Sequence, residues 1–384
     1  MKTPVYINSI ASISPLGETS EAIWNNYKND THCILKHDFS GNEAFAAFLP
    51  SEIKDKLTAL KKTETKFKDL DNSVLYAIYA SRTAMEQAGW ERGADIGINI
   101  GSSRGATQLF EKHHAEFIET RKVNVLASPS TTLGNISSWV AQDLQSSGPE
   151  ISHSVTCSTG LHAVLNGVVW LQSGFAKRFV VGGSEAALTP FTIAQMKAMK
   201  IYANKESDYP CKALDMEKTS NTMILGEGAG SICISHEKEH STAKITGIGY
   251  ATEELKHSVS ISANATCFQR SMKMAIGDKK LEDLDAIVMH APGTLKGDAA
   301  ELNAIKELFG KEHPAVTSNK WKLGHTFGAS GILSMELAVL MLQHNQFIEV
   351  PFSEISKAPK KLENILVNAV GFGGNAVSIL ISKN

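Results

Sequence analysis

One cysteine lies in a sequence setting in which thiols can act as nucleophiles. Cys157 stands in "SVTCSTGLHAV", where an apolar, strand-like run ends and a helical pattern begins, with Leu161 and Val164 on one face. The N-terminus of a helix favours a thiolate through its macrodipole, and its unpaired backbone N–H groups can hold an oxyanion. Cys157 is therefore a candidate nucleophile, and a small buried core residue is the alternative. The other four cysteines lack such a setting and are expected to be structural.

Two histidines extend this candidate site. His290 follows the apolar run "AIVM" and precedes a Pro-Gly turn, and His325 stands between Gly324 and a run of small residues, with Lys320 shortly before it. We expect both histidines at strand-to-loop junctions. A single histidine in such a place is commonly a core residue with its hydrogen bonds satisfied. Two of them, together with a cysteine in a third turn, are less common and form a candidate site. The segment "NAVGFGGNAVSI" (368–379) predicts a tight glycine turn between two C-terminal strands.

A serine offers a competing nucleophile. The segment "GSSRG" (101–105) matches the GxSxG pattern and lies between a predicted strand and a predicted helix, as in a nucleophile elbow. A serine hydrolase that uses Ser103 is therefore an alternative from another reaction class. No HGGG-like oxyanion segment precedes Ser103, and long stretches of chain follow both histidines, which argues against this alternative.

The elements that must position these residues alternate along the chain. Apolar runs such as "DIGINIGSS" precede longer helical patterns such as "ATQLFEKHHAEFIET", which predicts an α/β protein with strands buried under helices on both faces. The polar segment "SHEKEHSTAK" (235–244) predicts a boundary between residues 1–238 and 239–384. Each half has a turn that leads into a helix of small residues, "TCSTGLHAVLNG" and "GHTFGASGILSM", which indicates an ancient duplication.

Composition narrows the class of protein. The 384 residues are 42% hydrophobic and 20% charged, which is typical of a globular protein, and the net charge of −2 gives no general attraction to nucleic acid. No run reaches the ~18 apolar residues of a membrane span, and no signal peptide is recognisable, so we expect a cytoplasmic protein. The five scattered cysteines form no CxxC pair, and "LGEGAG" (225–230) lacks the rest of a phosphate loop. We expect neither a metal nor a nucleotide cofactor.

Seven segments, taken in order, resemble the motifs of one enzyme family. They are "VYINSIASISPLG", "GPEISHSVTCSTGLHAV", "VVGGSEAALTP", "LGEGAG", "HAPGTLKGDAAE", "SNKWKLGHTFGASG" and "GFGGNA". Across nearly its full length the chain resembles the β-ketoacyl-acyl carrier protein synthases, the condensing enzymes of fatty acid and polyketide synthesis. The resemblance implies a thiolase-like fold of two pseudo-duplicated αβαβα halves in a layered sandwich. It also implies an acyl carrier protein as partner, and a homodimer or a heterodimer with a related synthase subunit.

The same resemblance implies a role for each candidate residue. Cys157 would accept an acyl chain from a carrier-protein thioester. His290 and His325 would hold the malonyl thioester carbonyl and stabilise the enolate formed by decarboxylation, and Lys320 would orient the two histidines by hydrogen bonding and charge. Phe372 would gate the site, and its N–H and that of Cys157 would form the oxyanion hole. No cofactor is implied.

Two departures from the family pattern indicate a divergent member. Ala291 and Pro292 stand where the family has Gly-Thr, and Ser334 stands where it has a glutamate, with Glu336 nearby on the same predicted helix. These changes favour a secondary-metabolite synthase. They also leave open an auxiliary subunit that shapes a polyketide tunnel, as chain-length factors do. Such subunits usually lack the cysteine, so Cys157 favours the enzyme.

A run of lysines offers a docking surface. "KDKLTALKKTETKFKD" contains Lys54 and Lys56, followed by a cluster of four lysines, Lys61, Lys62, Lys66 and Lys68. These side chains can be a solvated helix face, or they can dock an acidic carrier protein through salt-sensitive contacts.

Overall fold

The computed structural model describes residues 3–133, 135–254, 261–310, 312–355 and 357–384. The strands are β1 (Val5–Ile13), β2 (Leu35–Asp38), β3 (Glu43–Ala47), β4 (Gly97–Gly101), β5 (Glu150–Ile151), β6 (Arg178–Glu185), β7 (Leu225–Gly226), β8 (Gly228–Ser235), β9 (Ala243–Thr252), β10 (Ala286–Val288), β11 (Ala315–Thr317), β12 (Asn364–Gly371) and β13 (Asn375–Ser382). The helices are α1 (Ser20–Tyr27), α2 (Ser51–Thr63), α3 (Asn72–Gln87), α4 (Thr107–Thr120), α5 (Ala127–Thr131), α6 (Asn135–Leu144), α7 (Thr159–Ser173), α8 (Pro190–Ala198), α9 (Thr266–Ile276), α10 (Leu295–Phe309), α11 (Lys320–Leu323) and α12 (Ser330–His344). Short 3₁₀ turns span Thr65–Phe67, Thr156–Ser158, Leu281–Asp283 and Phe327–Ala329.

Ten strands form one sheet with a repeated strand order. The order is β11-β10-β12-β13-β9-β1-β8-β6-β4-β5, so the same five-strand pattern runs outward in both directions from the central β1–β9 pair. That pair is antiparallel, with Val5 opposite Ile245. In each half the two outermost pairs are parallel and the inner pairs are antiparallel. A second, three-stranded sheet has the order β2-β3-β7.

Helices cover both faces of each half of the large sheet. Helices α7 and α12 pack between the halves and share one apolar core with strands of both. Helices α3 and α6 cover the outer face of the first half, and α9, with α10 packed against it, covers the outer face of the second. Helix α12 is buried from Ser330 to Leu342, which explains why it is apolar on all sides. The predicted layered αβαβα, thiolase-like fold is confirmed.

The two central helices begin in the same way. Each has 15 residues and directly follows a three-residue 3₁₀ turn, at Thr156–Ser158 before α7 and at Phe327–Ala329 before α12. The first residue of each turn has a positive φ, 49° at Thr156 and 42° at Phe327. Such backbone is costly for residues other than glycine and is concentrated at functional sites. The repeated geometry agrees with the duplication that the sequence indicates.

The local setting of two site residues differs from the prediction. The strand before Cys157 ends at Ile151, and residues 152–155 belong to no strand or helix; there the His153 side chain hydrogen-bonds to Asn99 and to the Thr159 carbonyl. His325 follows the short helix α11 rather than a strand. Within the described residues, no helix is long and apolar enough to cross a bilayer.

Candidate active site

The turn that carries Cys157 is buried beside the N-terminus of α7. The Cys157 side chain is only 6% exposed. Burial raises the pKa of its thiol to about 12, and the negative charge of Glu185 acts in the same direction, while Arg104 and Lys320 act against it. The expected preference for the thiolate is therefore wrong for the resting site, because loss of hydration on burial disfavours the charged form.

The two histidines meet edge to face. Their ring centroids are 5.2 Å apart and their planes cross at 88°. Burial lowers the pKa of His325 to about 3. It also holds the pKa of His290 well below its usual range, with His325 and Lys320 adding to the effect. Both imidazoles are therefore neutral near pH 7, and within the described part of the chain the Nδ1 atom of each is buried without a hydrogen-bond partner.

Acidic residues of α10 hold the loop that carries His290. Glu301 accepts hydrogen bonds from the backbone N–H groups of His290 at 3.0 Å and Ala291 at 2.9 Å. Asp298 accepts from the N–H of Gly293 at 3.0 Å and forms a buried ion pair with Lys218 at 2.9 Å. Ala291, one of the departures from the family pattern, has a φ of 23°, a region that favours glycine. The loop is thus fixed by side chains and strained at the substituted position.

Lys320 lies under the histidines without bonding to them. Its Nζ donates to Asn319 Oδ1 at 2.9 Å and to Ser334 Oγ at 3.1 Å. The predicted hydrogen bond to the histidine pair is therefore wrong, although the charge of Lys320 does lower the pKa of both histidines. Glu336 accepts from Ser12 Oγ at 2.7 Å and does not replace the missing glutamate beside Lys320.

The predicted glycine turn is confirmed as the hairpin between β12 and β13. A Cβ built on Gly371 would lie 1.9 Å from Thr156 Oγ1 and 2.6 Å from the Val155 carbonyl oxygen, so this hairpin packs directly on the cysteine turn. Phe372 follows, is 38% exposed and lines the cavity. The shared oxyanion hole of Cys157 and Phe372 stays a prediction.

One cavity of about 440 Å³ unites four of the five predicted catalytic residues. Cys157, His290, His325 and Phe372 all line it, and Lys320 does not. The rest of the wall is largely apolar and includes six large side chains, Met196, Met199, Ile201, Met223, Phe268 and Phe327. Such a cavity can hold an acyl chain next to a thiol and two neutral hydrogen-bonding rings. Among the described residues, no group of three histidine, cysteine or acidic side chains is placed to hold a metal ion.

Glu185 is a site residue to which sequence reasoning assigned no role. Its carboxylate accepts hydrogen bonds from the backbone N–H groups of Ser103 at 2.8 Å, Arg104 at 3.1 Å and Gly328 at 3.0 Å, and from Ser102 Oγ at 3.1 Å. It thereby joins the "GSSRG" turn to the turn that follows His325. Burial raises the pKa of Glu185 to about 7. The sequence signal that could have indicated this role is the acidic residue that ends the apolar run "VVGGSE".

Ser103 has none of the surroundings of a hydrolase nucleophile. Its backbone N–H is bonded to Glu185 and its carbonyl accepts from Ser154. Within the described part of the chain no histidine is hydrogen-bonded to its hydroxyl, so Ser103 lacks the general base that such a nucleophile requires.

The start of α7 packs closely at two glycines against the start of α12 and the turn before it. A Cβ built on Gly160 would lie 2.9 Å from the carbonyl oxygen of Gly328, and one built on Gly331 would lie 2.7 Å from Leu161 Cγ. This contact fixes the Cys157 turn of the first half against the His325 turn of the second.

The lysine cluster is partly neutralised. Lys66 pairs with Glu64 at 2.9 Å, and Lys61 Nζ donates to the Leu70 carbonyl at 3.1 Å. Lys62 and Lys68 are exposed, and none of the four lines the cavity.

Comparisons with known proteins agree with this arrangement. Residues 2–240 match the family model described as "Beta-ketoacyl synthase, N-terminal domain", and residues 242–351 match the C-terminal domain of the same family. The chain is 26% identical to 3-oxoacyl-[acyl-carrier-protein] synthase 2 of Coxiella burnetii, over 100% of this chain and 99% of the relative.

Two solved structures have the same fold. One is described as the ishigamide ketosynthase/chain length factor, with a TM-score of 0.86 at 19% identity over 100% of this chain and 99% of that one. The other is a type II PKS acyl-carrier protein in complex with its ketosynthase bound to the hexaketide, with a TM-score of 0.83 at 18% identity over 100% of both chains. Because the two family models together match most of its length, the chain belongs to the β-ketoacyl synthase family.

Proposed function

We propose that the protein is a decarboxylating condensing enzyme that joins an acyl group on Cys157 to malonyl-carrier protein. The observation that carries this proposal is the single cavity lined by Cys157, His290, His325 and Phe372. Covalent catalysis at this thiol divides a difficult condensation into two easier steps.

In the first step Cys157 Sγ attacks the carbonyl carbon of an acyl thioester on the carrier protein. The thiol proton passes to the departing carrier sulfur, and a new thioester forms on Cys157. The apolar surroundings that raise the pKa of the thiol suit this uncharged product, since burial disfavours only the ionised form.

In the second step the malonyl carboxylate leaves as carbon dioxide, and its bonding electrons form an enolate on the thioester. Two neutral imidazoles can donate hydrogen bonds to the enolate oxygen from Nε2, because each Nδ1 is buried and has no acceptor for a proton. The enolate carbon then attacks the acyl-Cys157 carbonyl, and Sγ leaves as a thiolate that takes up a proton. One such donor is typically worth about 3 kcal/mol of transition-state stabilisation.

We also propose a carrier-protein partner, a dimer and a cytoplasmic location. Carrier docking is assigned to Lys62 and Lys68, with Lys61 and Lys66 beside them.

The dimer face is assigned to residues 107–133, where exposed apolar side chains include Val125 (91% exposed). All five cysteines are free, which agrees with a reducing compartment. The halves 1–238 and 239–384 are proposed as its two domains, supported by the repeated strand order.

A second candidate function is an auxiliary subunit of a heterodimeric synthase. The observation in its favour is that Lys320 bonds to the hydroxyl of Ser334 and not to a carboxylate. An auxiliary subunit would need a related partner for condensation.

Intact mass after incubation with acyl-carrier protein tests the first step. We expect a thioester on Cys157 that is absent from Cys157→Ala. His290→Gln and His325→Gln should retain this thioester but lose about 100-fold in carbon dioxide release from malonyl-carrier protein. His240→Gln, exposed in the turn after β8 and outside the proposed dimer face, is the matched control. Failure of the purified chain to form the thioester until a related subunit is added would favour the auxiliary role, and an ester on Ser103 would favour a hydrolase.

A further inference from the structure

The "GSSRG" turn presents an arginine on a rigid backbone. The carboxylate of Glu185 accepts from the N–H of Ser103 at 2.8 Å and from the N–H of Arg104 at 3.1 Å. The next residue, Gly105, has a φ of 62°, where glycine is favoured. The backbone from which the Arg104 side chain projects is therefore held in one position.

The guanidinium lies directly behind the wall of the catalytic cavity. Its central carbon is 5.4 Å from the ring centroid of Phe327, a cavity-lining residue. Its Nη2 donates to the side chain of Gln195 on α8, and the next residue, Met196, also lines the cavity. The positive charge of the guanidinium is also near enough to Cys157 to lower the pKa of its thiol.

Part of this guanidinium has no partner among the residues that the structure describes. The Nε atom of Arg104 is buried and makes no hydrogen bond to any of them. An arginine side chain stays charged at any accessible pH, and a buried donor without an acceptor is costly. Within the described residues, the Nε–H donor of Arg104 is thus unused, although Arg104 is close enough to Cys157 to affect its pKa.

We propose that Arg104 selects the acyl group, recognising an oxygen acceptor on a chain bound to Cys157 and disfavouring a plain hydrocarbon chain of the same length. This inference rests on the proposed function and names its substrate class. An acyl chain that extends past Phe327 and Met196 reaches the guanidinium. A keto or carboxylate oxygen then satisfies Nε, whereas a methylene group leaves this buried donor without an acceptor.

Acylation of Cys157 by three carrier-bound, five-carbon acyl groups tests the inference. The groups are pentanoyl, 3-oxopentanoyl and glutaryl, and the rate of thioester formation is followed by intact mass. We expect the wild-type protein to take at least one of the two oxygen-bearing groups faster than pentanoyl. The faster of the two distinguishes a keto group from a carboxylate as the preferred acceptor.

In Arg104→Leu the rate ratio of the preferred oxygen-bearing group to pentanoyl should fall about tenfold or more, the size of one hydrogen bond to a charged group. Arg178→Leu is the matched control, because Arg178 also lies over an aromatic ring, that of Trp90 at 5.3 Å, but does not border the cavity. Gln195→Leu, which removes the side-chain partner of Arg104, should shift the ratio further toward the oxygen-bearing groups. It provides the test if the leucine variant at 104 does not fold.

An unchanged ratio in Arg104→Leu with normal loading of Cys157 overturns the inference and leaves the proposed function standing. Absence of any thioester on wild-type Cys157 overturns the proposed function and this inference with it.

Discussion

The ammonium group of Lys320 lies 3.1 Å from the hydroxyl oxygen of Ser334, and both residues are buried. Its other described hydrogen bond is also to a neutral group, the side-chain amide of Asn319. Burial therefore lowers the pKa of Lys320 to about 8, and the negative charges of Glu301, Cys211, Cys157 and Asp298 compensate only in part. The ammonium thus loses its proton within a pH range in which an enzyme can be assayed.

Substitution Ser334→Glu should shift the alkaline limb of the pH–activity profile. In the wild type, decarboxylation that depends on the charge of Lys320 should fall as the pH rises through about 8. A carboxylate beside the ammonium stabilises the protonated form and raises its pKa, so the limb should move up by at least about one pH unit. The measurement is the pH dependence of kcat for malonyl-carrier protein decarboxylation. Ser334→Gln, of equal size and without charge, should leave the limb in place, and an equal shift in both variants would contradict the electrostatic account.

Substitution Gly371→Ala should displace the cysteine turn. The added Cβ would come within 1.9 Å of Thr156 Oγ1, so the turn must move. We expect a loss of about 1–3 kcal/mol in the free energy of unfolding, as in overpacked cores, and slower acylation of Cys157. Because the closest atom belongs to the Thr156 side chain, Thr156→Ala in the same chain should restore part of the acylation rate. Thr156→Ala alone is the control, and no rescue in the double variant would show that the clash lies elsewhere.

Substitution Glu336→Gln should flatten the pH dependence of stability. Burial raises the pKa of Glu336 to about 7, and among the described residues Ser12 alone donates to its side chain. A carboxyl with a folded-state pKa above its unfolded value stabilises the folded state at low pH and loses that contribution as the pH rises from about 4.5 to about 7. The unfolding free energy of the variant minus that of the wild type should therefore increase with pH, by up to about 1.4 kcal/mol per pH unit in this range.

Urea denaturation at pH 5 and pH 8 measures this difference. The exposed Glu282, substituted to Gln, is the control and should show no change with pH. A difference for Glu336→Gln that stays constant between the two pH values would mean that the folded-state pKa is not raised.

Charge reversal at Lys62 and Lys68 should weaken carrier docking. These two lysines are exposed, whereas Lys66 is paired with Glu64. Lys62→Glu with Lys68→Glu should raise KM for carrier-bound substrate several-fold at low salt with kcat unchanged, and the effect should shrink as salt screens the charges. The same double reversal at Lys279 and Lys280, exposed lysines of the second half, is the control. Equal KM values for both variants would exclude this surface.

The residues of the site could be predicted where one short segment contains the signal. Cys157, His290, His325 and Phe372 each stand among small or glycine residues that make room for a substrate, and all four line the cavity. The αβαβα layering could also be predicted, since apolar strands alternate with helices and α12 is apolar on all sides.

What could not be predicted depends on partners from other segments. The four donors to Glu185 come from residues 102–104 and 328, which are far apart in sequence. The bond from Lys320 to Ser334 depends on how α11 and α12 pack. The helix-terminus argument for the Cys157 thiolate failed for the same reason, since the hydration that the thiol loses is decided by the residues folded around it.

The glycine contacts between α7 and α12 limit how such an enzyme can diversify. A Cβ added at Gly160 or Gly331 would clash with the facing segment. Neither position therefore tolerates a larger residue without moving the sulfur of Cys157 away from the ring of His325. New substrate preferences must then arise in the side walls and behind them, among flexible methionines and Arg104, where bulk and polarity can vary while the reacting atoms keep their spacing.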